Sequence, residues 1–410
     1  YGQVLMGTGD ERGSEGYFFR VLQERPEDAA SLDLYASCQG YATFLKDSDA
    51  FVVNRLNLPG FKSVFCAVPF AKGLLVTGEP LSQKGHTNPW NGRSFLDMYY
   101  SEKKTIVTWL DPVGLPGEVN GPYHEGPGVV AADGKTLYFT RSNYYKHRLN
   151  KDERNTSHLK LFRATRDSVS GQWADIREFA HNGEAFSTGH PALSSDGKTL
   201  YFASDRPGGQ GGSDIWRSHH DGTGWSAPEN LGATVNTPGN ELFPVESGGT
   251  LYFSSDAHDN LGGLDVFETH ETNGHWSDPR NMNYPVNTEH DDFSLVLDKR
   301  VGLAGDTSMS GYLSSDRDGT DQVYTFWAVA PVFFVEGEVT DPEGHYLPNV
   351  EVTLAELLSE KDTTVMTGPD GKFHFPLTPG RDYSVRANDD GYLSQSQPLS
   401  TRGLLRSDTL

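Results

Sequence analysis

The stretch Asp196-Gly-Lys-Thr-Leu-Tyr-Phe202 occurs twice, because Asp133 to Phe139 spells the same residues. Thr250-Leu-Tyr-Phe-Ser-Ser-Asp256 continues the series, Gly311-Tyr-Leu-Ser-Ser-Asp316 is a weaker copy, and Gly73-Leu-Leu-Val-Thr-Gly78 precedes them. A second marker keeps step: Trp109-x-x-Pro112, Trp173-x-x-Ile176, Trp225-x-x-Pro228 and Trp276-x-x-Pro279. Two markers in phase define a repeated supersecondary unit of about 50 to 60 residues.

Asp-Gly is a tight-turn signal, since glycine accepts positive φ and aspartate bonds its own backbone. The flanking Leu-Tyr-Phe and Ile215-Trp216 runs are aromatic and favour strands, and Gly208 to Gly212 joins them as a hairpin. Each period then holds roughly four short strands, the size of a propeller blade. A helical solenoid is excluded by the lack of a 3.6-residue apolar period. The last copy has no Trp-x-x-Pro strand after it, whereas Ala50 to Leu56 is an unclaimed strand before the first. If that strand forms the outer edge of the last blade, the ring closes without an exposed edge. The fold class expected is mainly β: a five-bladed β-propeller, followed by a small β-sandwich and preceded by a short helical segment. Six blades is the alternative, should residues 79 to 121 hide another sheet.

Three domains are expected. In residues 1–48, Gly2, Leu5, Gly9, Phe18, Val21 and Pro26 have the spacing of the second half of a tetratricopeptide signature, with a further helix from Ala29 to about Cys38. Residues 49–329 form the propeller. In residues 332–410, alternating runs Phe334 to Asp341, Leu347 to Leu354, Asp370 to Phe375 and Tyr383 to Ala387 read as an antiparallel sandwich.

The formal net charge of -22 argues against nucleic acid or an anionic membrane surface as partner. No apolar run is long enough to span a bilayer, so direct membrane insertion is not expected. The missing initiator Met leads us to expect that a signal or lipid-anchor segment lies upstream of Tyr1. Cys38 and Cys66 are too few for a disulfide framework or a zinc site, though a bridge between them stays open.

The segments opening the blades, Glu125-Gly-Pro, His190-Pro-Ala, Glu241-Leu-Phe-Pro and Asp292-Phe-Ser, should be the innermost strands. Glu125, Glu241 and Asp292 would then form an acidic lip at one channel mouth. The pairs Asp205/Asp214, Asp256/Asp265 and Asp316/Asp321 could hold Ca²⁺, but their recurrence fits hairpin caps better. Arg141, Arg206 and Arg317 occupy one hairpin position in separate blades, a repeat signature and not a sialidase arginine cluster. His181-x-x-Glu184 lacks a second histidine at metallopeptidase spacing. His219, His220 and His270 follow strand ends and read as solvated surface. No catalytic residue, cofactor or metal is expected.

The run Pro191 to Arg206 through Asp214-Ile-Trp216, with Trp225-x-x-Pro-x-x-Leu231 and Val235-Asn-Thr237, resembles the WD-like propeller repeats of Bacteroidetes envelope proteins. Gly337-x-Val339-x-Asp341, Pro348-x-Val350-x-Val352, Asp370-Gly-Lys-Phe373 and Gly391-Tyr392 resemble the carboxypeptidase regulatory-like domain. Taken in order, the chain resembles the PorE-like multidomain lipoproteins of the type IX secretion system, within the OmpA family. That resemblance implies a non-enzymatic periplasmic scaffold, associated with the outer membrane, that contacts other secretion or outer-membrane complex proteins. It implies peptidoglycan binding only through a C-terminal domain not found in these residues. The alternatives are a glycan- or metal-binding propeller and, less favoured, a hydrolase.

Overall fold

A computed structural model describes all residues except 1, 3, 4, 6–10, 46, 47, 49, 83–86, 89, 90, 106, 107, 302–308, 330, 360, 390–394 and 403–407. The chain divides into two compact units, Tyr1–Ala328 and Val329–Leu410. The helical segment is therefore grouped with the repeated sheets, not set apart from them.

The Asp-Gly turns form as the local chemistry dictates. Gly134 and Gly197 take φ of 67° and 70°, and Asp133 Oδ1 accepts from the amides of Lys135 (2.7 Å) and Thr136 (2.9 Å). Each turn joins an innermost strand to the Leu-Tyr-Phe strand. Among the described residues the first unit holds five such antiparallel sheets with a four-strand path. Their innermost strands are Phe61–Phe70, Glu125–Val130, Thr188–Leu193, Glu241–Ser247 and Asp292–Leu297, and each contacts the next in a closed cycle. The fold is mainly β and propeller-like.

Closure uses the expected strand. Phe51–Arg55 pairs antiparallel with Gln322–Ala328, with Phe51 opposite Ala328 and Arg55 opposite Tyr324. The first and last parts of the repeated region thus share one sheet. The stretch from 79 to 121 contributes Asp97–Glu102 and Val113–Gly114 to the sheet of Gly73–Pro80, and no separate sheet forms there among the described residues.

Side chains at 0 or 1% exposure fill the sheet interfaces, among them Leu137, Phe139, Phe162 and Trp173 in one cluster and Leu251, Phe253 and Ile215 in another. Burying each such side chain stabilises the fold by about 1.5–3 kcal/mol. The repeated Leu, Tyr and Phe positions are therefore packing positions.

Helices Glu11–Glu24 and Ala29–Phe44 pack against each other through Phe18 and Leu34. Asp28 caps the second helix by accepting from Ser31 N at 2.9 Å, and that helix runs past the expected end at Cys38. It is tied to the sheets where Asn260 N donates to Ser37 Oγ at 3.0 Å and Tyr284 N to Phe44 O at 3.2 Å. The hairpin connection here is Ala257 to Leu261 instead of an Arg-Pro-Gly run, and Ala257, Asn260 and Leu261 are buried.

The second unit is a two-sheet β domain. One sheet contains Lys372–Leu377, Phe333–Glu338 and Asp408–Thr409; the other contains Lys361–Met366, Glu351–Glu356, Asp382–Asn388 and Gln395–Ser400. Phe333, Val352, Leu354, Phe375 and Tyr383 fill the space between them. The Lys361–Met366 and Gln395–Ser400 strands escape the sequence reading because they bury little: both are largely exposed along their length.

Candidate functional site

In an antiparallel four-strand path, the starts of the first and third strands and the end of the second lie at the same end of the sheet. The candidate residues gather there. Glu125, Glu241 and Asp292 do open innermost strands, as expected, but the acidic lip does not exist. All three are at 0% exposure, turned into the protein to hold the connection that enters their own sheet. Glu125 Oε2 accepts from Gly121 N (2.9 Å), Glu241 Oε2 from Thr237 N (2.8 Å) and Asp292 Oδ2 from Thr288 N (2.6 Å), the same four-residue step each time. A carboxylate removed from water needs such donors, and further ones are supplied. Arg141 Nε lies 3.1 Å from Glu125 Oε1, Thr237 Oγ1 and Ser255 Oγ donate to Glu241 Oε1, and Arg317 pairs with Asp292. Burial pushes the Glu125 carboxyl up to about 8 and that of Glu241 up to about 7, while Arg141 pulls Glu125 the other way.

The arginines do the work of the repeat. Arg141 donates to Glu118 O at 2.7 Å and to Val119 O, Arg206 to His181 O at 3.3 Å, and Arg317 to Pro285 O at 3.1 Å. In the helix-bearing sheet, His258 Nε2 meets Val235 O at 2.9 Å instead. Each contact ties a hairpin to the loop entering the same sheet. The aspartates also act as caps. Asp205, Asp256 and Asp316 accept from the amides of Ser187 (2.6 Å), Asn240 (2.7 Å) and Asp291 (3.0 Å). Asp214 accepts from Gln210 N at 2.6 Å and Asp265 from Leu261 N at 2.8 Å, while Asp321 takes Ser63 Oγ at 3.0 Å. Among the described residues, no three His, Cys, Asp or Glu side chains are grouped to hold a metal ion. His181 and Glu184 do not converge: His181 Nε2 meets Trp225 O at 3.0 Å, and Glu184 faces Lys160 at 3.7 Å. His219 and His270 are exposed and His220 is half-buried against Trp225; Cys38 and Cys66 are not joined in a disulfide.

Sequence reasoning missed two features. Every innermost strand is bulged, with positive φ at Cys66, Gly126, His190, Phe243 and Ser294, and Phe61–Phe70 carries a second register shift between Phe61 and Ser63. A bulge re-aims side chains, and here it brings rings together along the innermost strands. His190 stacks on Phe243 at 3.9 Å between centroids, Phe243 meets Phe293 at 4.8 Å, and Phe293 meets Phe65 at 5.9 Å. Aromatic rings thus meet one another between these strands, with Phe293 buried and Phe65, His190 and Phe243 half-buried.

The second missed feature is an aromatic cluster on connecting segments. Phe95 precedes the Asp97–Glu102 strand, Tyr123 and His124 precede Glu125–Val130, and Tyr144 follows Thr136–Ser142. Phe95 lies 5.4 Å from Tyr123 and 4.7 Å from His124, and Tyr123 lies 5.3 Å from Tyr144. All four residues are half-buried, leaving ring surface in contact with solvent. The only sequence signal was loop aromatics near strand starts.

The fold and site thus define a mainly β, propeller-like unit followed by a small β domain. Residues 335–403 of that second unit match the carboxypeptidase regulatory-like domain. No curated protein matches the chain in sequence. Similar solved structures include an exo-β-1,3-galactanase from Clostridium thermocellum, at 12% identity over 82% of this chain and 83% of that one, with a TM-score of 0.41. An α-L-arabinofuranosidase from Lactobacillus brevis shares 12% identity over 68% of this chain and 90% of that one, TM-score 0.40. A TolB-type protein from Agrobacterium tumefaciens shares 14% over 80% and 96%, TM-score 0.37. The expectation that this chain is not an enzyme does not stand, because glycoside hydrolases are among the similar structures. Likeness at these identities concerns the fold, and no activity passes from them to this chain. Among the described residues no helix is long and apolar enough to cross a membrane.

Proposed function

We propose that the five sheets are the blades of a five-bladed propeller and that the chain is a periplasmic scaffold of a bacterial outer-membrane complex. It works through protein–protein contacts of its propeller and its regulatory-like domain. The observation that carries this reading is the Phe95, Tyr123, His124 and Tyr144 cluster. Aromatic rings gathered beside strand ends at one end of a sheet scaffold are the residue types that anchor protein interfaces. The ring contacts of His190, Phe243 and Phe293 make the innermost strands an apolar meeting point, which favours a partner that docks on the connecting segments over a small polar ligand. The resemblance of the domain order to PorE-like, OmpA-family lipoproteins makes the type IX secretion system the complex proposed. On that reading the helix pair is the end of a tetratricopeptide array. The test is affinity capture from detergent-solubilised cell envelope, comparing the parent chain with a Tyr123→Ala/Tyr144→Ala variant of unchanged thermal stability. Capture of outer-membrane secretion components by the parent and their loss in the variant supports the reading; equal capture by both removes the cluster from it.

A further inference from the structure

In three of the sheets the connection from the second strand to the third is short and carries more Asp than basic residues: Asp205 to Asp214, Asp256 to Asp265 and Asp316 to Asp321. Between Thr136–Ser142 and Leu159–Arg166 the connection is longer and its charge is reversed, with Lys146, Arg148, Lys151 and Arg154 against Asp152 and Glu153. The reversal reaches the strand itself. Register puts Lys160 opposite Arg141, where the repeat has Asp214 opposite Ser204 and Asp265 opposite Ser255. Lys160 is buried, with Glu184 3.7 Å from its ammonium.

The loop is held in place by its own contacts. Tyr144 and Tyr145 pair with Leu149 and Arg148 in a small hairpin, whose base closes where Asn150 N donates to Asn143 O at 2.7 Å. Tyr145 packs on the core residue Phe162, 5.7 Å between centroids. Asp152 turns into the loop: Oδ1 accepts from Arg154 N (2.9 Å) and Thr156 N (2.8 Å), and Oδ2 meets His158 Nε2 at 3.0 Å. Lys146, Arg148, Lys151 and Arg154 are exposed. Lys146 lies over the Tyr145 ring at 5.1 Å and Lys151 donates to the neutral Asn155 Oδ1 at 3.1 Å. Among the described residues none of these four pairs with a carboxylate, since the ion pairs of this region are His158 with Asp152 and Lys160 with Glu184.

The loop adjoins the aromatic cluster, because Tyr144 belongs to both. Exposed cations without carboxylate partners, on a chain of net charge -22, are a local complement to negative charge. Arginine presents a fork that matches a carboxylate, and Arg beside Tyr is the pairing that anchors protein interfaces. The cluster rings are tilted by 53° to 76° from one another, so they form no flat platform on which sugars or bases would stack. The acidity of the rest of the chain opposes a long polyanion.

We propose that this loop takes an acidic, extended segment of a protein partner, with carboxylates meeting Arg148, Lys151 and Arg154 and an aromatic residue between them resting on the cluster at Tyr123 and Tyr144. The inference gives a chemistry to the partner proposed for the aromatic cluster, and it rests on that reading.

A fluorescein-labelled peptide of repeated Glu-Glu-Phe, titrated into the full chain at low salt and followed by anisotropy, is the probe. Arg148→Glu/Arg154→Glu is compared with Lys361→Glu/Arg386→Glu, which changes the net charge equally at exposed positions of the second unit. The expected results are saturable binding, weakened at least ten-fold by the first pair and less than two-fold by the second, and weakened as ionic strength rises. Hydrogen exchange over residues 144–158, slowed by the peptide, locates the contact without a variant. No saturable binding, equal weakening by the two double variants, or binding of polygalacturonate in place of the peptide would overturn the proposal. Absence of peptide binding alongside envelope capture that depends on Tyr123 and Tyr144 would overturn this inference alone and leave the reading of the aromatic cluster standing.

Discussion

Asn236 clasps the backbone of Ile215 across the seam between two sheets: Asn236 Oδ1 accepts from Ile215 N at 2.7 Å, and Asn236 Nδ2 donates to Ile215 O at 3.1 Å. The same two-bond clasp joins Asn120 to Met98, Asn182 to Leu161 and Asn287 to Val266. Each asparagine sits in the loop entering one sheet and holds the third strand of the sheet before it. At the closure seam a backbone bond, Leu56 N to Val323 O at 2.8 Å, takes this place.

Asn236 and its target are both buried, so truncation leaves a donor and an acceptor unpaired. Asn236→Ala is expected to cost about 1–3 kcal/mol per group left unsatisfied. Urea unfolding of the two chains measures it, with the midpoint lowered and the slope kept.

The strand Phe51–Arg55 is the fourth strand of the sheet that begins at Asp292. Removing residues 1–55 leaves the Gln322–Ala328 edge bare and deletes the Phe51 and Val53 packing on Phe326 and its neighbours. A fall of more than 10 °C in Tm is expected, since each degree-scale shift reflects only tenths of a kcal/mol in a chain of this size. Aggregation through the bare edge should accompany it, read by light scattering. A chain lacking residues 1–48 alone keeps the closing strand, and its sheets should stay intact.

The repeat was legible because Asp133-Gly and Asp196-Gly turns are decided within a few residues: the aspartate, the positive-φ glycine and the strand that follows need no distant partner. Closure by Phe51–Arg55 was legible for a different reason, since counting strands left one unclaimed. The orientation of Glu125 was not. Its burial depends on the amide of Gly121 and the guanidinium of Arg141, which only the folded chain brings to it. The ring contacts of His190, Phe243 and Phe293 were hidden for a related reason. A bulge shifts the side-chain alternation by one position, so a strict two-residue period read from sequence assigns those side chains to the wrong face.

Glu241 makes stability depend on pH in a direction opposite to that of an ordinary ion-paired carboxylate. Burial pushes its folded value up to about 7, above the ordinary value of 4.5. Between those values the folded chain binds more protons than the unfolded one, so stability contributed by this group is present below about 4.5 and is lost as pH rises through about 7. The slope from one such group is at most about 1.4 kcal/mol per pH unit. Glu241→Gln should flatten the fall in stability between pH 5 and 7, measured by urea unfolding at each pH.

Cys66 is buried in an innermost strand, and burial pushes its thiol far above the usual range. In the folded chain it should not react with a disulfide reagent over hours at neutral pH. In denaturant both Cys38 and Cys66 should titrate as free thiols. A single pair of equivalents missing after denaturation would show a disulfide that Cys38 and Cys66 do not form in this structure.

The account turns on whether the loop aromatics at one end of the propeller-like unit hold a protein partner. The direct measurement is capture of envelope proteins by the parent chain and by the Tyr123→Ala/Tyr144→Ala variant, quantified by mass spectrometry, with matched circular dichroism and Tm. The account predicts that outer-membrane proteins retained by the parent fall at least ten-fold in the variant. Equal retention by both chains, or no outer-membrane protein retained above background by the parent, would contradict it.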